Sequence, residues 1–269
     1  MKKKFSLLVL LPAFMLSSCG DGAEITDPAK LKETKDAISA KTKDIKNYEM
    51  TMKSSATSYD DSAKKNVTME SEMVFRANAN EEMYLKSVSK EGDQKEESTI
   101  YLVKDAKYKQ VLYLDMYDED TKKNEKTVYG YDGNELTFSF AALYFLAPTL
   151  YTSMFLDPNT ISAEDLLEET ADDSEAEYTV ESKYYSKGDG NLTLKIIAKS
   201  KEGAKSEDEY TVSESYTVVY DNYYWKSAVI EGESNKGNKS KAEITFTVKD
   251  EVKIELPSGW ESLINKEAA

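Results

Sequence analysis

The side chain in this sequence that most clearly suggests a covalent modification is the thiol of Cys19, which is the only cysteine among 269 residues. It follows Ser17 and Ser18 at the end of an apolar run, Phe5–Leu16, and lysines occupy positions 2–4. A basic start, an apolar run and a small-residue site are the three parts of a secretory signal. Without a second thiol no internal disulfide is available, so packing has to stabilise the exported chain.

The residues Leu16-Ser17-Ser18-Cys19 resemble the lipobox of bacterial lipoproteins, in which the cleavage site ends on cysteine. The resemblance implies cleavage before Cys19, a diacylglycerol joined to its sulfur by a thioether, and acylation of the new amino terminus, typically with palmitate. It places the mature protein outside the cytoplasm, on the outer face of the cell membrane or on the periplasmic side of an envelope membrane. The alternative is an ordinary signal peptide over residues 1–18, followed by a cysteine without a role.

The charge of the chain excludes some classes of partner. Loss of residues 1–18 would remove three lysines and change the formal charge from −15 to −18. Such an acidic body repels phosphates, so no nucleic-acid partner is expected. The membrane should be held by the acyl chains and not by the protein surface, and two or three chains hold far more firmly than one.

Histidine is absent, which excludes Ser-His-Asp and Cys-His catalysis and the usual zinc and copper sites. The densest acidic loop contains Asp115, Asp118, Glu119 and Asp120, but no glycine lies in register for a calcium loop and two lysines follow directly. No Gly-x-Ser-x-Gly motif or phosphate-binding loop occurs either. We therefore expect a protein that is not an enzyme and that holds no metal or cofactor.

An N-terminal amphipathic helix is predicted over residues 28–47. Asp27 and Pro28 form an N-cap and first-turn pair, and Leu31, Ile38 and Ile45 recur every seven residues. The apolar stripe is narrow, so the helix should lie across another surface. Residues 19–27 are predicted to form a tether from the lipidated cysteine to a single domain over residues 28–269.

After residue 47 the hydrophobic period changes from that of a helix to two. Apolar and polar residues alternate in about eleven or twelve successive segments, separated by turn signals such as Gly188-Asp189-Gly190. The clearest segments are Val67–Phe75, Leu112–Met116, Tyr178–Tyr184, Leu192–Ile196, Tyr210–Val218, Ile244–Val248 and Val252–Leu256. One apolar face per strand predicts a mainly β protein with an antiparallel meander of about eleven strands. No segment alternates strand and helix as a parallel α/β sheet requires.

The segment Leu136–Leu156 breaks this pattern, since it contains 21 residues without a charge. Its length would allow it to cross a bilayer, but Pro148 lies near its middle, hydroxyl residues dilute it, and its flanks are acidic. We therefore predict a helical insertion over about residues 137–169, with one or two short helices broken at Pro148 and a third over Ser162–Glu169. These helices should cover the apolar face of the sheet.

Three passages carry a resemblance to a known architecture: Ile45–Thr51 from helix to strand, the turn Tyr131–Asn134 before the insertion, and a closing strand at Ile254–Pro257. Together with the order of elements they resemble the LolA-like superfamily of lipoprotein carriers and its LppX-like lipoprotein relatives. The resemblance implies a strongly curved, incomplete barrel, with central helices forming a lid over an apolar cavity. Soluble carriers latch this lid with an arginine, and nothing marks Arg76 as its equivalent.

A candidate apolar cavity follows from this arrangement, with the insertion on one side and the strands on the other. Its residues are Phe138, Phe140, Leu143, Phe145, Leu146, Leu150, Met154 and Phe155 from the insertion, and Met69, Met73, Phe75, Leu112, Leu114 and Met116 from the strands. Adaptable methionines would suit a lipid or another apolar ligand. The same residues equally suit an ordinary packed core, and the sequence does not separate the two interpretations.

The leading hypothesis is a non-enzymatic lipoprotein, anchored to the membrane through Cys19, that binds a lipid or another apolar ligand in a half-barrel. The alternative is a structural or adhesive surface lipoprotein that binds a protein partner through its tyrosine-rich faces. The two hypotheses differ in one observable, because only the first includes a small-molecule ligand.

Overall fold

The computed structural model describes residues 21–60, 64–131, 135–162, 178–200 and 211–264, without the side chains of residues 60, 131 and 135–143. These residues form two α-helices, α1 (Pro28–Thr42) and α2 (Glu135–Leu156), and a 3₁₀ turn at Trp260–Leu263. They also form the strands β1 (Ala23–Glu24), β2 (Tyr48–Asp60), β3 (Lys65–Ala77), β4 (Met83–Glu91), β5 (Gln94–Asp105), β6 (Lys109–Asp118), β7 (Lys123–Tyr131), β8 (Tyr178–Ser186), β9 (Leu192–Ser200), β10 (Thr211–Asp221), β11 (Tyr224–Ser234) and β12 (Lys239–Val248).

All of these strands belong to one antiparallel sheet in the order β1-β8-β9-β10-β11-β12-β2-β3-β4-β5-β6-β7. Two meanders, β2–β7 and β8–β12, are joined where β12 pairs with β2 from Lys239 opposite Thr57 to Val248 opposite Tyr48. The sheet is curved, and β1 and β7 lie at its two ends, so the barrel is not closed in the described chain. The predicted fold class, an incomplete antiparallel barrel with an N-terminal helix and a helical insertion, is confirmed.

Alternation along the strands gives the sheet two different faces. On β3, Met73 and Phe75 are buried, whereas Glu72 and Arg76 lie on the other side of the strand. We call the side of Phe75 the concave face and the side of Arg76 the outer face. The main hydrophobic cluster lies on the concave face, and side chains of both helices belong to it or pack against it.

Helix α1 begins where the sequence predicts, because the Asp27 carboxylate accepts a hydrogen bond of 2.9 Å from a backbone N–H of the first turn. Ile38 is fully buried, and Leu31 and Ile45 pack partly against the same core, so the predicted apolar stripe is confirmed. The helix ends at Thr42 and not at residue 47. The Thr42 carbonyl accepts the N–H of Ile45 at 3.1 Å in a tighter closing turn.

Helix α2 runs without interruption from Glu135 to Leu156, so the predicted break at Pro148 is wrong. Proline removes one N–H from the helical ladder, but the helix continues through Pro148, which is buried. The Thr152 hydroxyl donates a hydrogen bond of 2.8 Å to the Pro148 carbonyl. Within the described residues, no helix is long and apolar enough to cross a membrane. The predicted third helix, after Ser162, lies outside those residues.

The segment before α1 differs from the predicted tether. Residues 23–24 pair with Tyr185 and Ser186, so they form the end strand of the sheet. The next residue, Ile25, donates its N–H to the Tyr184 carbonyl at 2.8 Å, and its side chain is buried in the main core. Docking of this kind depends on the edge of a strand that is distant in sequence, which the local composition does not reveal.

The predicted closing strand at residues 252–257 is wrong. Val252 and Ile254 are buried, but they pair with no strand in the described chain. The preceding strand, β12, already has β11 and β2 on its two sides, so it offers no free edge. The chain passes to the outer face instead, where Leu256 and Trp260 pack against a second cluster around Val111.

Candidate functional site

One side of helix α2 covers part of the concave face. Phe145, Pro148, Thr152 and Phe155 are buried, and their spacing of three or four residues places them on one side of the helix. The ring of Phe145 lies 6.1 Å from the ring of Phe75 on β3. The uncharged segment therefore lies against the sheet, as the sequence predicts, and covers its apolar face.

Aromatic rings hold the C-terminal end of α2 against the sheet. The Phe155 ring lies 5.4 Å from Trp225 on β11, which lies 4.8 Å from Phe246 on β12. Tyr48 on β2 continues the series at 5.0 Å from Phe246. The Tyr220 hydroxyl donates a hydrogen bond of 2.7 Å to the Phe155 carbonyl at the end of the helix. This end of the concave face is a packed core.

The buried phenol of Tyr220 predicts a specific pH dependence of stability. Burial, with a smaller contribution from Asp157, raises the pKa of Tyr220 well above its usual value. The unfolded chain therefore loses this proton first as pH rises above about 10, so the free energy of unfolding should fall there by up to about 1.4 kcal/mol per pH unit. Tyr220→Phe should remove this part of the alkaline slope and, below pH 10, reduce stability by about 1 kcal/mol through the lost hydrogen bond.

Urea denaturation at several pH values measures this effect, and Tyr59→Phe is the control because the Tyr59 side chain is exposed. Tyr59→Phe should keep the alkaline slope of the parent protein. An equal slope in the Tyr220→Phe variant would contradict the assignment.

The structure brings together only some of the predicted cavity residues. Six of them are buried in the main core: Met73, Phe75, Leu112, Leu114, Phe145 and Phe155. Met116 and Met154 pack partly against the same core. Three others are about half exposed, Met69 at 50%, Leu146 at 51% and Leu150 at 51%. The side chains of Phe138, Phe140 and Leu143 lie outside the described residues, so the lining of a cavity stays a prediction.

The concave face changes from apolar to hydroxyl-bearing along the strands. Pairing across β2–β5 gives four successive rows, which lie about 6–7 Å apart. From the end near Tyr48 they are Tyr48, Ala77, Met83, Leu102; then Met50, Phe75, Leu85, Ile100; then Met52, Met73, Ser87, Ser98; and finally Ser54, Ser71, Ser89, Glu96. The first two rows lie in the region that α2 covers, the third row combines two methionines with two serines, and the fourth row is polar.

We call the serines of the last two rows the serine rim: Ser54, Ser71, Ser87, Ser89 and Ser98. All five are half-buried, and the hydroxyls of Ser54 and Ser71 lie 2.6 Å apart. A hydroxyl both donates and accepts hydrogen bonds, so the rim can bind a polar group of either kind. Sequence analysis missed the rim because serine reads as a solvent-facing residue. The available signal was the alternation along a strand. Ser71 lies two residues before Met73 on β3 and therefore on the same face, and the pairing of Met73 with Ser87 places Ser87 of β4 there too.

The outer face carries a groove of about 670 Å³ with charged walls. It crosses β12, β2, β3, β4 and β5, and its charged residues are Lys53, Lys86, Lys90, Lys95, Lys241, Glu70, Glu72, Glu97 and Glu243. Ion pairs connect several of them, at 2.6 Å between Lys86 and Glu97 and at 2.8 Å between Lys241 and Glu243. Lysine and glutamate neutralise one another here, so the groove is a solvated face without a strong preference for either charge.

A row of aromatic rings crosses the outer face nearer the C-terminal segment. Tyr84 and Tyr101 lie 5.0 Å apart, and Tyr101 and Tyr113 lie 5.6 Å apart. Arg76 covers the Tyr84 ring at 5.3 Å, and its Nε donates to Glu49 at 2.6 Å. Arg76 is therefore on the face opposite the described side chains of α2 that pack on the sheet. A pocket of about 420 Å³ separates this row from residues 253–255.

The acidic loop after β6 stabilises its own hairpin. The Asp118 carboxylate accepts a hydrogen bond of 2.6 Å from the Thr121 N–H, and this bond lowers the pKa of Asp118. Asp115 binds the Asn124 amide at 2.8 Å. Among the residues that the structure describes, no group of three acidic side chains is placed to hold a metal ion.

No protein-family model matches the chain, and no curated protein matches it either. Solved structures give weak matches over most of its length. A DUF1329 family protein from Desulfovibrio piger is 9% identical, with 85% of this chain and 96% of that chain covered and a TM-score of 0.25. A β-barrel-like DUF1849 protein from Brucella abortus is 8% identical, with 77% of this chain and 99% of that chain covered and a TM-score of 0.23. An outer membrane lipoprotein-sorting protein domain from Vibrio parahaemolyticus is 5% identical, with 82% of this chain and 94% of that chain covered and a TM-score of 0.25. These values are too low to assign the chain to any of these families.

Proposed function

We propose that this chain is a non-enzymatic lipoprotein that is anchored outside the cytoplasm through a lipid on Cys19. We propose further that the concave face of its sheet binds an amphiphilic ligand, such as a fatty acid or a lipid. The acyl chain lies along the methionine-containing part of the face beside α2, and the polar group contacts the serine rim.

The observation that carries this proposal is the change of chemistry along one continuous surface. An amphiphile needs an apolar surface and, at a fixed distance, hydrogen-bonding groups for its head. Between the packed core at Phe75 and the hydroxyls of Ser71 and Ser89 lies the row of Met52 and Met73, whose flexible side chains adapt to a chain of variable shape. Met69 continues this face beyond the rim and is half exposed.

The anchoring proposal is supported by the sequence. The motif Leu16–Cys19 follows a basic and apolar leader, and the body of the chain is strongly acidic and contains no other thiol. The absence of histidine and of nucleophile motifs supports a role in binding and not in catalysis. The protein would then hold its ligand close to the membrane surface.

Blocking the concave face tests the ligand proposal. The mature protein with Cys19→Ser should bind a fluorescent long-chain fatty acid saturably, and unlabelled fatty acid should displace the probe. Ser87→Trp would fill the face at the third row and should weaken binding about tenfold or more, which corresponds to at least about 1.4 kcal/mol.

The matched control is Val88→Trp, which adds the same side chain to the next position of β4 on the outer face. It should leave binding unchanged. Absence of saturable binding, or equal weakening by both substitutions, would contradict the proposal.

A second candidate function, binding of a protein partner, is favoured by the aromatic row on the outer face. Tyrosine and arginine are enriched in protein interfaces, and Tyr84, Tyr101 and Arg76 lie together beside an open pocket. In this case Tyr101→Ala would abolish binding of a purified partner and would leave fatty-acid binding by the concave face intact.

A further inference from the structure

We infer that the lipid anchor lies two residues before a segment that is docked on the sheet, so that one end of the half-barrel faces the membrane and the other end points away from it. The membrane-facing end carries the β8–β9 turn, residues 187–191, and the distal end carries the β11–β12 turn, residues 235–238. This inference rests on the proposed lipidation of Cys19, but the docking that fixes the orientation lies in the described residues 21–25.

An ion pair holds the first described residue against the outer face. The Asp21 carboxylate lies 2.5 Å from the Lys195 ammonium of β9, and both side chains are largely withdrawn from solvent, at 19% and 24% exposure. The Lys195 ammonium also lies 5.6 Å from the centre of the Tyr185 ring on β8. A pair of this kind is worth more than an exposed one, because water screens it less.

Gly22 makes the turn that brings Asp21 to this position. Its φ of +98° is a conformation that residues with a side chain rarely adopt. A Cβ atom at Gly22 would lie 2.3 Å from the Ser186 carbonyl oxygen and 2.8 Å from the Lys187 nitrogen, both of which are backbone atoms that cannot move aside. Only glycine therefore allows the chain to leave the sheet edge here and fold back over β8.

Residues 23–25 complete the attachment on the other side of Gly22. Ala23 pairs with Ser186, and Ile25 is buried in the main core with its N–H bonded to the strand. The segment from Asp21 to Ile25 is thus held by an ion pair, a glycine turn, strand pairing and a buried side chain. A flexible tether would have none of these.

The distances then determine which end of the molecule lies at the bilayer. Two residue steps separate Cys19 from Asp21, and an extended chain spans at most about 7 Å over that distance. Strand β8 has nine residues and is about 30 Å long. Because Ala23 pairs with Ser186, the last residue of β8, the lipid on Cys19 must lie close to this end of the sheet.

The orientation places the serine rim towards the distal end. Across the sheet, the row of Ser54 is continuous with Ser182 in the middle of β8, whereas the row of Tyr48 lies at the end that carries Ser186. The hydroxyl-bearing part of the concave face is therefore farther from the membrane than the packed core. An amphiphile would enter and leave on the side away from the bilayer to which the protein is anchored.

Single cysteine labels test this orientation, because a lipidated Cys19 has no free thiol and an added cysteine is then labelled alone. Lys187→Cys and Lys236→Cys place a fluorophore at the two ends of the sheet, and phosphatidylcholine vesicles that contain a headgroup quencher report proximity. We expect several-fold stronger quenching at position 187 than at position 236. Gly22→Val, which should undock the segment without changing the anchor, should reduce this difference.

Mass spectrometry of the amino terminus and flotation with the vesicles are measured first. Equal quenching at both positions in protein that is lipidated and floats would overturn this inference and leave the anchoring proposal standing. Protein that carries no lipid and does not float would overturn both.

Discussion

Trp225→Ala is expected to lower the free energy of unfolding by about 3–5 kcal/mol, the usual range for removing a large aromatic side chain from a core. Trp225 is 1% exposed, and its indole contacts both Phe155 of α2 and Phe246 of β12. The substitution would remove an aromatic contact between the helix and the second meander. Urea denaturation, read from the midpoint at constant slope, measures the loss.

Trp225→Phe refines this prediction. Among the described residues, the Trp225 N–H has no hydrogen-bond partner, so its replacement by phenylalanine removes a buried unsatisfied donor while keeping a ring in the stack. We expect a loss of about 1 kcal/mol or less. Tyr59→Ala, at an exposed site, should change stability by less than about 0.5 kcal/mol. If Trp225→Ala stayed within that small range, α2 would not be packed on the sheet as the structure shows.

Cys19→Ser is expected to abolish stable membrane association altogether, the largest functional effect that this account predicts. Each buried methylene of an acyl chain contributes about 0.8 kcal/mol, so loss of all the chains removes the dominant attachment. The acidic protein surface, with a formal charge of −18 after residue 18, offers no compensating attraction to anionic lipid. Fractionation of cells by centrifugation, followed by mass spectrometry of the amino terminus, measures the change.

The matched control is Ser17→Ala, which keeps a small residue before the cleavage site. It should leave the protein in the membrane fraction. A Cys19→Ser protein that still sediments with membranes at high salt would favour the ordinary signal peptide and another mode of attachment.

The fold class could be predicted because alternation with a period of two is a direct consequence of strand geometry. The pattern Met73, Phe75 against Glu72, Arg76 already separates the two faces of β3. Helix α1 was equally accessible, since Asp27 and Pro28 are local signals for a helix start. In each case the information lies within a few residues of the element that it specifies.

The errors came from interactions between distant residues. Pro148 weakens an isolated helix, but α2 continues through it, and Pro148 is buried on the same side of the helix as Phe145 and Thr152. Ile254 alternates like a strand, yet β12, the strand directly before it, already pairs with β11 and β2 and offers it no free edge. The docking of Gly22 against Ser186 and the serine rim around Ser71 likewise depend on the register between strands.

Native mass spectrometry of the mature protein, purified without added lipid, tests the central claim most directly. We predict a species heavier than the covalent mass by one amphiphile, which collisional activation releases and which Ser87→Trp prevents from binding. Val88→Trp should retain it. The same protein is then incubated with long-chain fatty acid, and its fold is checked. If the spectrum of this folded protein still shows the covalent mass alone, binding by the concave face is contradicted.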